Sequence, residues 1–167
     1  MVHVQSTGDE KARLDTVRLA VWFAAGFLSV LVFHQGLLAI LHLTGLIANA
    51  PFSMRATQPL GVPKLWSLAF WGGTWAVALS WVEPRFPRGA PYWLLAFLFG
   101  AVLPTLVGWF IVLPLRGVPV ADGWHAARIA VGLSVNGVWG LGSALLFRLA
   151  GVVLPGIAMT VGGHGTR

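Results

Sequence analysis

Apolar residues in this chain gather into four runs with short breaks between them, at about residues 17–47, 64–82, 91–113 and 124–149. A helix needs about 20 apolar residues to cross a hydrocarbon core. Each run is near that length or beyond it. In lipid every backbone N–H and C=O must be bonded inside its own segment, so the runs are predicted to be helices. The expected fold is all-α: one domain over residues 1–167, an integral membrane four-helix bundle.

The breaks carry helix punctuation. Pro63 and Pro91 stand where a first helical residue would sit. Asp122 precedes the fourth run and is expected to cap it, and Gly151 to close it. Pro114 is placed to end the third run, and Pro104 inside that run predicts a kink. The first run would reach roughly 46 Å as a helix, against a core of about 30 Å. It must tilt, project or bend, and Gly36 and Gly45 are the candidate bends. The first dozen residues are polar and expected to be loose. The stretch after Val152 is apolar but too short to span.

Composition strengthens the membrane reading. Of 167 residues 57% are hydrophobic and 10% charged, and the mean hydropathy is +0.79. A soluble domain carries about 25% charged residues. The chain has no cysteine, which excludes disulfides, thiolate metal sites, iron–sulfur clusters and covalent haem attachment. Its net charge of +6 sits at the borders of the runs. Headgroups and topology account for it there, and a nucleic-acid partner is not expected.

Basic residues set the orientation. Lys11, Arg13, Arg18, Arg85, Arg88, Arg148 and Arg167 fall on one side of the predicted spans, and Arg55, Lys64, Arg116 and Arg128 on the other. The positive-inside rule places both termini in the cytoplasm. Ala48-Asn49-Ala50 has the form of a signal-peptide cleavage site. The apolar stretch before it is much longer than a signal core, so it is read as a retained span.

The candidate chemistry collects on the opposite, outer side. His34 and Gln35 lie about 24 Å along the first helix from Arg18, and His42 lies further out. The outer loops bring Arg55, Asp122, His125 and Arg128. Three histidines and several cations thus face a single carboxylate. Such a set suits an anion or lipid headgroup, with Arg55 and Arg128 as the cations and His34 and Gln35 as donors. His34 facing His125 would suit b haem, and a quinone headgroup would suit the same Arg55, Arg128, Gln35 and His34 set as a lipid phosphate. A metal site has no motif spacing in its favour. The bland alternative is that these groups simply find partners on neighbouring helices.

In the fourth run Gly132, Asn136, Gly140 and Ala144 recur every four residues, a small-residue stripe for close helix packing. Gly72, Ala76 and Ser80 repeat the spacing in the second run. Tight packing within the bundle is the first use for both, and self-association or docking into a larger membrane complex the second. Several of the nine tryptophans lie near span ends, as an interfacial belt requires. No carboxylate lies in mid-span, which disfavours ion-coupled transport. No nucleophile–base set or phosphate loop appears. The first expectation is therefore a non-enzymatic accessory, assembly or lipid-contacting scaffold protein. A haem or quinone redox subunit and a solute-permeation protein stay open beside it.

The order "FHQG", "PF", "PLGVP" and "LAFWGGTWAVAL" resembles a family of small uncharacterised bacterial inner-membrane proteins with four transmembrane helices, over about residues 20 to 150. The resemblance implies a multi-pass protein of the bacterial inner membrane, with an outer loop that folds back over His34. It implies no activity or cofactor.

Overall fold

The computed structural model describes residues 3–58 and 60–153, with side chains from Glu10 onward. The chain is almost wholly helical. α1 (His3–Ser29) passes through a π-helical turn (Val30–His34) into α2 (Gln35–Leu43). A loop with a two-residue hairpin follows, β1 (Ala56–Thr57) antiparallel to β2 (Val62–Pro63). α3 (Lys64–Val82) ends in a 3-10 turn (Glu83–Arg85). α4 (Ala90–Val107) leads through a second π-turn (Gly108–Val112) into α5 (Leu113–Leu115). A short turn, α6 (Ala121–Trp124), precedes the long α7 (Ala126–Val153).

Three rods are long and apolar enough to cross a membrane: Glu10–Leu43, Ala90–Leu115 and Ala126–Val153. α3, at 19 residues, is not among them. It carries Lys64 and four tryptophans, Trp66, Trp71, Trp75 and Trp81.

Helix α1 lies between α3 and α7, and α4 packs along α7. α3 and α4 meet only over a short stretch, where Trp75 stands edge-on to Phe99. The main core joins α1, α3 and α7 through Trp22, Ala25, Val30, Ala69, Ala76, Leu79, Trp139 and Phe147. Trp22 stacks on Phe147 with centroids 4.1 Å apart.

Small residues permit this packing. A side chain on Gly26 would collide with Ala76 and with the Gly72 carbonyl, so the α1–α3 crossing is nearly backbone on backbone. At the α4–α7 crossing, a side chain on Gly140 would meet the Ala96 carbonyl, and one on Gly100 the Asn136 carbonyl. The fourth-run stripe is thus turned toward α4 along its length. Gly132 lies beside Trp109. Asn136 Nδ2 donates to Thr105 Oγ1 at 2.7 Å. Ala144 is buried with Tyr92 and Ala96.

Several local expectations are corrected. The polar N-terminal residues are helical from His3. The first run is irregular at Val30–His34, one turn before Gly36, where nothing in the sequence forces it. Gly45 does not bend the helix; it ends it. With φ of +75° it closes a Schellman motif, in which Leu46 N–H donates to the Leu41 carbonyl and Gly45 N–H to that of His42. α7 begins at Ala126, four residues beyond Asp122, so Asp122 does not cap it. The same helix runs through Gly151 to Val153. Of the apolar tail, the part beyond Val153 lies outside the described residues.

Candidate functional site

The loop after α2 folds back onto the helices it connects. Phe52 N–H donates to Gln35 Oε1 at 2.7 Å, and Gln35 is buried. His42 Nδ1 lies 3.2 Å from the Ile47 carbonyl. A carbonyl only accepts, so this Nδ1 carries the hydrogen. On the other flank, Lys64 N–H donates to the Arg55 carbonyl at 2.9 Å and Leu65 N–H to that of Ser53 at 3.0 Å. Loop carbonyls thereby satisfy the first orphan donors of α3, which has no side-chain cap. The loop is pinned from α2 and from α3, with Phe52 held at φ +53°.

This fold-back leaves a half-open cavity of about 820 Å³ at the end where α2 finishes and α3 and α7 begin. Its polar lining includes His34, Gln35, Lys64, Asp122 and Arg128, and its apolar part includes Leu38, Leu65, Leu68 and Val131. His34 closes the π-turn and Gln35 opens α2, and both line the cavity. Single π-turns inside α-helices are frequent at functional sites.

Asp122 reaches the cavity by an unusual backbone. Ala121, Asp122, Gly123 and Trp124 all have positive φ, between 50° and 78°. Non-glycine residues held there cost on the order of 1 kcal/mol or more each. Backbone bonds to the Pro119 and Val120 carbonyls hold the turn. Arg128 joins it by an ion pair of 2.9 Å to Asp122 Oδ1 and a 3.2 Å bond to its carbonyl. Arg128 thus takes up the one carboxylate of the lining. Lys64 has no ion-pair partner among the described residues, and the cavity keeps a surplus of positive charge.

The structure brings together His34, Gln35 and Arg128 and leaves two expected members outside. Arg55 is exposed, and its backbone rather than its side chain takes part in the loop. His125 is exposed beside Gly123 and is not part of the cavity wall. The axial pair His34–His125 is therefore not assembled. No three metal-ligating side chains converge among the described residues. Lys64, a topology charge by sequence, joins the wall from its place directly after Pro63 at the start of α3. Asp122, the one carboxylate of the outer set, joins it through the left-handed turn, which the sequence does not mark.

The opposite end holds a second polar cluster, closed where the first is open. Glu83 and Tyr92 are buried. Tyr92 Oη donates to Glu83 Oε1 at 3.0 Å. Arg18 donates to the Ser80 carbonyl at 2.9 Å and stands 3.8 Å from Glu83 Oε2. The Arg148 guanidinium lies 3.7 Å over the Tyr92 ring. This cluster ties α1, α3, α4 and α7 at one level.

No protein-family model, no curated protein and no solved structure matches the chain.

Proposed function

We propose that this chain is a multi-pass protein of the bacterial inner membrane, with α3 as a fourth span and both termini cytoplasmic. It acts without catalysis, as a lipid-contacting scaffold or accessory subunit. Its working surface is the cavity, which takes the headgroup of an anionic amphiphile. One observation carries this reading. At a single end of the helices, where a headgroup would lie, Lys64 stands without an ion-pair partner beside Arg128, His34 and Gln35, over the apolar floor of Leu38, Leu65, Leu68 and Val131. Charged hydrogen bonds of this kind contribute about 1.5–3 kcal/mol each, and about 1.4 kcal/mol is tenfold in affinity. A haem reading draws less support, because His125 stands apart from His34.

The test is lipid capture by the purified full chain in nanodiscs of phosphatidylcholine with or without phosphatidylglycerol. Preferential retention of phosphatidylglycerol is expected, weakened about tenfold by Lys64→Ala. Equal retention of both lipids would remove the headgroup reading. A Soret band in protein made with haem supplied would favour the redox alternative instead.

A further inference from the structure

We infer that Gln35 is a positioning residue that fixes the tautomer of His34 and presents its Nε2–H to the cavity as a hydrogen-bond donor. The donor role rests on the headgroup reading above; the tautomer itself does not. A glutamine amide has one accepting oxygen and one donating nitrogen, and their assignment is decided by what surrounds them. The decision here is made by the loop. Phe52 N–H can only donate, and it lies 2.7 Å from one end of the amide. That end is the oxygen. The other end is an NH₂ group, and it lies 3.4 Å from His34 Nδ1. The bond is long, but the opposite tautomer would set two N–H groups against each other. Nδ1 therefore accepts, and the ring hydrogen sits on Nε2.

Three chemical consequences follow. His34 offers an N–H to a phosphate or carboxylate oxygen, in keeping with Lys64 and Arg128 on the same wall. It offers no Nε2 lone pair to haem iron or a metal. Metal-bound histidines show the reverse arrangement, with Nδ1–H donated to a carbonyl or carboxylate and Nε2 left as ligand. The chain also contains its own control. His42 donates Nδ1–H to the Ile47 carbonyl, so the two histidines at this end hold opposite tautomers within nine residues of helix.

The experiment is ¹⁵N magnetic-resonance spectroscopy of histidine-labelled full chain in lipid nanodiscs, with His34→Asn and His42→Asn for assignment. His34 is expected to show a protonated Nε2 and a bare Nδ1, and His42 the reverse. Gln35→Glu keeps the side-chain length and an oxygen for Phe52 N–H, while placing an acceptor beside Nδ1. It is expected to move the His34 hydrogen to Nδ1, leave His42 unchanged and lower phosphatidylglycerol retention several-fold. A wild-type His34 protonated at Nδ1 overturns the inference, whether or not the variant folds. An unchanged His34 in a Gln35→Glu protein whose His42 signals are native overturns it too. A tautomer that swaps with no change in lipid retention overturns the donor role and leaves the assignment of the ring hydrogen standing. Loss of lipid preference on Lys64→Ala alongside an Nδ1–H His34 would separate failure of this inference from failure of the headgroup reading.

Discussion

The two ends of the molecule use the same kinds of residue in opposite ways. At the Glu83 end, a carboxylate, two arginines and a tyrosine are joined to one another and to a backbone carbonyl, with Glu83 and Tyr92 out of solvent. At the cavity end, a lysine, an arginine and a histidine face open space with one carboxylate among them. A cation matched to a buried carboxylate, as Arg18 is to Glu83, is structural. Cations left over at a concave surface are available to a ligand. The difference lies in what the neighbouring backbone does. At the Glu83 end a compact 3-10 turn folds the carboxylate inward. At the other end a longer loop is pinned back by Gln35 and by the first N–H groups of α3, with the cavity between them.

This contrast can be broken by substitution. The largest effect is expected from Glu83→Ala, which leaves Tyr92 without its acceptor and Arg18 without its ion-pair partner. Removing one partner of a buried ion pair costs about 3–5 kcal/mol, measurable as a shift in unfolding by denaturing detergent. An unfolding midpoint equal to wild type would show that the closed end is not structural. Next, Gly140→Leu forces a side chain into the Ala96 carbonyl and should cost about 1–3 kcal/mol. A stable variant with an intact α4–α7 crossing would contradict the backbone-close packing.

Asn136→Ala removes the bond to Thr105. Interhelical bonds of this kind average about 0.6 kcal/mol in membranes, so a small loss in the same assay is expected, and a loss as large as that of Glu83→Ala would be a surprise for this account. The smallest stability effect belongs to the open end. Asp122→Asn acts on a pair that is exposed on both sides, worth about 0–1 kcal/mol. Its measurable result should instead be tighter retention of anionic lipid, because it frees Arg128.

How much of this was legible in the sequence follows from the forces involved. The long apolar helices were readable because run length and lipid thickness decide them. The stripe at Gly132, Asn136, Gly140 and Ala144 was readable because close packing repeats at helical spacing. Gln35 stood out as an amide in an apolar segment. The π-turn had no mark, since no proline or glycine lies within Val30–His34. The course of the loop was conjectured from motifs, but its anchors are backbone groups of Phe52, Ser53 and Arg55, and these do not depend on side-chain type. The closed cluster was hidden for a different reason. Arg18, Glu83, Tyr92 and Arg148 each look like ordinary interfacial residues, and only the helix packing brings them together.

The central claim is that the open end holds an anionic headgroup through its surplus of positive charge, with Lys64 unpaired among the described residues and Arg128 shared with Asp122. Native mass spectrometry of the full chain released from its own membranes tests it most directly, comparing wild type with the Lys64→Ala, Arg128→Ala double variant. The account predicts anionic lipid bound to the wild type, its loss from the double variant, and an unfolding midpoint within about 0.5 kcal/mol of wild type, as for surface changes. The same anionic lipid carried by both proteins would contradict it.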